Sequence, residues 1–295
     1  MIEHVVREQQ YLGSYRLLKL VGSGRKCQVW DAMHDAKAER RACKIVMPQY
    51  EKDAEQLGLI RREFEAANEL NHPNVIRVYE FNHEPSPAFL AMEYFPSVNL
   101  KQLLLQERED AHYRLTKIIT EAAAGLDHVH EHNWIHRDIK PDNFLVGADD
   151  KVKLIDFALA ERKRGFLGKL FGGKSKVQGT RSYMSPEQVR AASLDHRTDI
   201  YSFGCTVFEM LAGRPPFTGA STNDLLNKHL RTAPPSLEAM NRNVTTEFSN
   251  LIKKTMAKNP ADRPQSMAEF LTLMKAHRIF KTQPRKKTET ESESA

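Results

Sequence analysis

No stretch of about 18 apolar residues, the length a membrane span needs, occurs in the 295-residue chain, so no segment is expected to cross a bilayer. Cysteine is scarce: Cys27, Cys43 and Cys205 are the three present. An odd count without metal-ligand spacing excludes a disulfide framework and points to a reducing compartment, the cytoplasm. The first ten residues carry Glu3, Arg7 and Glu8 and no apolar run, so they do not read as a signal peptide. No internal repeat is visible, which excludes solenoids and propellers.

What is present is globular in composition, with 40% hydrophobic and 28% charged residues. The length is too great for one small core and suits a two-lobed domain or two packed domains. The net charge of +6 fits a nucleic-acid binder, but equally an enzyme that handles phosphate. Specific nucleic-acid binding also needs a clustered basic face and is not expected.

Residues 15 to 47 read as strands: Leu17 to Val21, a break at Gly22-Ser23-Gly24, then Cys27 to Ala32 and Arg41 to Val46. Alternation puts Ala42 and Lys44 on one face and Cys43 on the other. Ile60, Phe64, Ala67 and Leu70 recur at helical spacing, with Glu63 beside that stripe. Asn71-His72-Pro73-Asn74 is expected to stop the helix. Two strands follow, Val75 to Phe81 and Phe89 to Tyr94. Beyond Leu100 the pattern is mainly helical, with an apolar stripe through Ile118, Ile119, Ala122, Ala123, Leu126 and Val129. Short strands are expected around Phe144 to Val146 and Val152 to Ile155. Helices follow at Ile200 to Leu211, Asn223 to Leu230, Thr246 to Met256 and Ser266 to Ala276. The last residues, 281–295, lack an apolar anchor and are expected to be a disordered polar tail. The division is thus an extension (1–14), a small β-rich lobe with one main helix (15–95), a larger helical lobe (96–280) and the tail. A cleft between two lobes is a common ligand site.

Gly22-Ser23-Gly24 between strands lets backbone amides approach a polyphosphate, although alone it is equally a hairpin turn. Lys44 on a following strand can pair with phosphate oxygens, and Glu63 could hold it, since a half-buried ammonium needs a partner. Alone, Lys44 reads as readily as a surface lysine. The decisive stretch is Ile135-His136-Arg137-Asp138-Ile139-Lys140-Pro141-Asp142-Asn143, followed by Leu154-Ile155-Asp156-Phe157-Ala158. Phosphoryl transfer needs positioning, charge neutralisation and a carboxylate near the attacking hydroxyl. Asp138 can accept that proton and Lys140 can neutralise the moving phosphoryl group. Asn143 and Asp156 are hard oxygen ligands of the kind Mg²⁺ takes.

These motifs make the chain resemble the eukaryotic-type serine/threonine protein kinase family over roughly residues 15 to 280. The resemblance implies an α+β, bilobal protein kinase fold and transfer of the γ-phosphoryl group of ATP to protein Ser and Thr hydroxyls. It implies ATP with Mg²⁺, or Mn²⁺ as a substitute. Lys44 and Glu63 resemble the strand lysine and helix glutamate, and His136-Arg137-Asp138 with Asn143 the catalytic loop. Asp156-Phe157 resembles the metal-binding segment, and Lys140 marks the Ser/Thr type. By the same resemblance Val21, Val29, Ala42 and Leu145 sandwich adenine. Met92 is the gatekeeper, Glu93 and Phe95 offer hinge backbone groups, and Asn99 meets the ribose. Glu187 pairs with Arg263, and Asp199 with Gly204 lies on the helix that anchors the catalytic loop. Arg137 is the arginine that can receive an activation-segment phosphate, with Ser175, Thr180 and Ser182 as acceptors and Ser175 preferred. Thr180 is expected to contact Asp138 and Lys140.

Three positions depart from the family pattern. Cys27 stands where a third glycine is expected, giving a stiffer loop or a redox-sensitive thiol. Ala158 replaces a glycine and resists positive φ. Ala67 is smaller than the apolar side chain usual there, which leaves helix packing weaker. The basic stretch 162–176 interleaves Lys and Arg with Phe166, Leu167, Leu170 and Phe171. It reads as a basic activation loop or as a dock for an acidic protein or anionic lipid. The alternative to an active transferase is a pseudokinase scaffold that binds nucleotide. A weaker third reading is a polyanion-binding module.

Overall fold

The computed structural model describes residues 11–83, 87–106, 112–163 and 179–285. The chain divides into two compact units at Pro96/Ser97, with Asp156–Ala158 joining the first.

The first unit is a six-stranded antiparallel sheet in the order β1-β2-β3-β4-β6-β5. Its strands are β1 (Tyr11–Leu12), β2 (Tyr15–Ser23), β3 (Cys27–His34), β4 (Glu39–Val46), β5 (Val78–Asn82) and β6 (Phe89–Glu93). Alternation sends Cys43 into a core with Tyr15, Ala32, Phe89 and Ala91, and leaves Ala42 and Lys44 half-buried on the other face. Helix α1 (Ala54–Asn68) starts where the Asp53 carboxylate accepts from the amides of Glu55 and Gln56. It buries Ile60, Glu63, Ala66 and Ala67, and the Phe64 ring lies 5.9 Å from that of Phe81. The helix ends before Asn71, and Leu70 is buried just beyond it. Val75 and Ile76 are buried but precede the strand, because the Val75 amide turns back onto the His72 carbonyl at 3.0 Å.

The second unit opens with β7 (Ser97–Asn99) and α2 (Leu100–Gln106), then α3 (Leu115–Glu131) and β8 (Trp134–Ile135). Strands β9 (Phe144–Gly147), β10 (Val152–Leu154) and β11 (Glu161–Arg162) follow. β10-β9-β7 form a small sheet, and β11 pairs with β8. The whole apolar stripe expected on α3 is buried. Beyond lie α4 (Pro186–Val189), α5 (Arg197–Ala212), α6 (Thr222–Arg231), α7 (Leu237–Met240), α8 (Thr246–Thr255) and α9 (Met267–Ala276). From Thr198 to Ala212 every residue of α5 is buried. Gly204 is required there: a Cβ would lie 2.1 Å from Thr255 Oγ1 on α8. The α+β class is what the chain has, one unit β-rich with a single long helix and the other mostly helical. Among the described residues no helix is long and apolar enough to cross a membrane.

Candidate active site

In the first unit, β4 carries Lys44 opposite Val29 of β3 and Leu90 of β6. Its ammonium donates to Glu63 Oε2 at 2.6 Å and to Asp156 Oδ1 at 3.1 Å. Burial works to lower the lysine's pKa, but the two carboxylates outweigh it and hold the ammonium protonated. Burial pushes the Glu63 carboxyl up, against the pull of Lys44. The outcome is one cation between two carboxylates, only one of them deeply buried: the Asp156 side chain keeps 36% of its exposure. Asp156 adopts φ +68°, which aims its carboxylate at Lys44 and places the left-handed backbone there. Ala158 is not among the positive-φ residues, so the glycine it replaces is not needed for that conformation.

Gly22 and Ser23 end β2, and the Gly24 amide donates to the Cys27 carbonyl at 2.9 Å. A Cβ on Gly22 would meet nothing within 4 Å, so an outside group can approach that backbone closely. Val21 is 59% exposed. Val29 and Ala42 are half-buried, and Met92, which pairs with Ala42, is buried. Glu93 closes β6 and Phe95 follows it. Cys27 accepts a hydrogen bond from Gln56 Nε2 at 3.2 Å. Burial raises its thiol pKa, with the Lys44 charge opposing, which disfavours the reactive-thiol reading.

In the second unit, the segment between β8 and β9 brings the remaining polar residues together. Asp138 Oδ2 accepts from Lys140 Nζ at 2.6 Å, and Oδ1 accepts from the Thr180 amide at 2.9 Å and its hydroxyl at 3.0 Å. Lys140 Nζ also reaches Thr180 Oγ1 at 2.8 Å. Asn143 Nδ2 donates to the Asp138 carbonyl at 2.7 Å, which leaves the donor end of this amide engaged. Asn99 and Leu145 face each other in the β7–β9 pair. The Asn99 Oδ1 accepts from the Gln102 amide at 2.8 Å, so this side chain also caps α2. Ser182 is half-buried in a 3-10 turn. Ser175, the rest of the basic stretch from 164 to 176 and most of the polar tail lie outside the described residues.

The loop before Asp138 is held from behind. Asp199, fully buried at the start of α5, accepts from the His136 and Arg137 amides, each at 2.8 Å. Burial would raise its carboxyl, but hydrogen bonds and the charge of His130 hold it below the ordinary range. The His136 ring meets the Ile155 carbonyl at 3.0 Å. Phe157 is fully buried in the first unit. Glu187 and Arg263 form a two-pronged pair at 2.7 and 2.9 Å. Burial opposes the Glu187 charge, and the guanidinium keeps the carboxyl low.

Two groups were not foreseen. Glu161 accepts from Arg137 Nη1 at 2.7 Å, and Gln188 Nε2 donates to the Arg137 carbonyl at 2.8 Å. Both contacts join residues far apart in sequence, with no local spacing to reveal them.

The Asp156 carboxylate in the first unit and the Asn143 side-chain amide in the second each carry a hard oxygen of the kind a divalent cation takes. Among the described residues no cluster of His, Cys, Asp and Glu forms an all-protein metal cage.

Residues 15–277 match the protein kinase domain model. The chain is 34% identical over 261 residues to serine/threonine-protein kinase PknB of Mycobacterium tuberculosis, covering 87% of this chain and 41% of the relative. It is 30% identical over 258 residues to serine/threonine-protein kinase PrkC of Bacillus subtilis, covering 88% and 39%. With PknA of Corynebacterium glutamicum it shares 32% over 288 residues, 96% and 60% of the two chains. It spans about two fifths of the length of the PknB and PrkC relatives. With this match over most of its length, the chain belongs to the protein kinase domain family.

Proposed function

We propose that the chain is a protein kinase that transfers the γ-phosphoryl group of ATP to serine and threonine hydroxyls of protein substrates. One observation carries the reading. The Asp138 carboxylate already accepts a threonine hydroxyl at 3.0 Å beside the Lys140 ammonium, the arrangement an acceptor hydroxyl needs.

In this reading the acceptor oxygen forms a bond to the γ-phosphorus, the bond to the ADP oxygen breaks, and the hydroxyl proton passes to Asp138. Lys140 balances charge on the moving group. Lys44, fixed by Glu63, binds phosphate oxygens, and the Gly22-Ser23-Gly24 backbone covers them. Asn143 and Asp156 hold Mg²⁺, or Mn²⁺ in its place, which when bound neutralises phosphate charge. Val21, Val29, Ala42 and Leu145 enclose adenine, beside Met92 and the backbone of Glu93 and Phe95, and Asn99 serves the ribose. Arg137 is the regulatory arginine, where a phosphate on Ser175 competes with Glu161. Thr180 and Ser182 are the further acceptors proposed. The kinase domain is proposed to run from 15 to 280, with the cytoplasm as a location that suits the free thiols Cys27, Cys43 and Cys205. A role in signalling, and docking of the basic 162–176 stretch to an acidic protein or anionic lipid, belong to the same proposal.

A decayed scaffold is the poorer reading, because Lys44, Glu63, Asp138, Lys140, Asn143 and Asp156 are all present. Incubation with radiolabelled ATP, Mg²⁺ and a mixed Ser/Thr acceptor protein tests the proposal. Label on phosphoserine or phosphothreonine is expected. No label, with nucleotide bound, supports the scaffold instead.

A further inference from the structure

Arg137, the residue before Asp138, has φ +70°. A non-glycine side chain in that region is strained and persists only where its surroundings fix it. Its amide is held by Asp199 Oδ1 at 2.8 Å. Its carbonyl oxygen accepts from Gln188 Nε2, also at 2.8 Å. The peptide running from Arg137 into Asp138 is therefore gripped by the Gln188 amide.

Both ends of that amide are engaged. Gln188 Oε1 accepts from the Ser185 amide at 2.9 Å, while Ser185 Oγ accepts from the Gln188 amide at 3.3 Å. This reciprocal pair is the capping box of α4. A capping box accepts Glu as readily as Gln at this position, because only the side-chain oxygen is used. Capping therefore accounts for the oxygen and leaves the Nε2 contact unexplained. Gln188 is only 4% exposed, and the nearby Gly179 stands at φ +116°, where a Cβ would lie 3.1 Å from the same carbonyl and 3.6 Å from both Asp138 Oδ1 and Gln188 Nε2. Gly179 thus leaves room for the Gln188 amide to reach the Arg137 carbonyl beside Asp138.

We propose that Gln188 is a positioning residue for phosphoryl transfer: its amide nitrogen fixes the Arg137 peptide and so aims the Asp138 carboxylate. This rests on the kinase reading above. Nothing in the role involves contact with nucleotide or acceptor.

Gln188→Glu tests it, because the replacement keeps the capping oxygen and the shape but sets a carboxylate oxygen against the Arg137 carbonyl. Only a protonated carboxyl can donate there. At pH 8 kcat should fall about 10- to 100-fold, the scale of a misplaced catalytic group, with KM for ATP within about twofold of wild type. Between pH 8 and pH 6 the ratio of variant to wild-type kcat should recover severalfold as the carboxyl takes up its proton. Gln188→Met, which cannot donate at any pH, should lose kcat with no such recovery. A Gln188→Glu rate within twofold of wild type at both pH values overturns the proposal. So does a pH-independent loss in which KM for ATP rises and thermal stability falls together, the mark of a structural role alone. Should Gln188→Met fail to fold, the pH ratio of Gln188→Glu still decides. A wild type that labels no acceptor overturns the kinase reading and this inference with it, whereas an active wild type with indifferent variants overturns this inference alone.

Discussion

Arg137 Nη1 donates to Glu161 Oε2 at 2.7 Å, and the arginine is 6% exposed. A β11 carboxylate thus already stands beside the guanidinium proposed to receive a regulatory phosphate, and an arriving phosphate meets a like charge. The loss caused by Ser175→Ala should accordingly be small in wild type, less than about threefold, and larger in a Glu161→Gln background, about tenfold, since about 1.4 kcal/mol of charge pairing is a factor of ten. Steady-state rates of the four proteins, with phosphorylation at Ser175 followed by mass spectrometry, measure this. Equal losses in both backgrounds contradict it.

Lys44 lies between Glu63 and Asp156 at 2.6 and 3.1 Å. Replacing it with Met leaves two carboxylates facing each other with no cation between them and removes the proposed phosphate ligand. Phosphoryl transfer should fall by about 10²–10³, the cost of losing one such electrostatic group. Glu63→Gln keeps the lysine charge but loosens its aim and should cost less. A rate assay at saturating ATP distinguishes them; a Glu63→Gln loss greater than that of Lys44→Met would show that the helix, not the lysine, governs the site.

The Glu187–Arg263 pair lies where the guanidinium is fully buried, and Arg263 also donates to the carbonyls of Ala257 and Arg197. Breaking a buried pair strands the remaining charge. Arg263→Met should destabilise the protein by about 3–5 kcal/mol, read from urea unfolding. A loss below about 1 kcal/mol would place this pair with ordinary surface ion pairs.

His229 is buried with its Nδ1 3.0 Å from the Tyr201 hydroxyl. Burial and the nearby Lys258 charge push its pKa down to about 4. The unfolded chain takes up this proton near pH 6.5 while the folded one resists it, so the stabilisation is complete above about 6.5 and is lost as pH falls toward 4. From this residue alone, stability at pH 5 should lie about 2 kcal/mol below that at pH 7. His229→Gln should flatten that difference. Unfolding curves at the two pH values check it, and an equal drop in both proteins counts against His229.

The cluster of Asp138, Lys140 and Asn143 was legible because these polar residues occur in a fixed order over a short stretch and converge through local geometry. The apolar stripe of α3 was legible for a similar reason: a 3.6-residue period survives in any context. Gln188 and Glu161 were not, since each reaches Arg137 from a distant segment and neither belongs to a periodic pattern. The start of β5 was misjudged because a local turn overrides strand propensity there. Val75 and Ile76 are apolar and buried, yet a turn onto His72 keeps them out of the strand. The positive φ that Ala158 resists is found instead at Asp156, whose carboxylate accepts from Lys44.

The measurement that tests the central claim most directly is the phosphoryl-transfer rate of Asp138→Asn, taken with its ATP affinity. Removing a general base should slow transfer by about 10²–10⁴, while ATP affinity stays within about threefold because Asp138 serves the acceptor hydroxyl rather than the nucleotide. A rate within threefold of wild type would contradict the assignment of Asp138 as the proton acceptor.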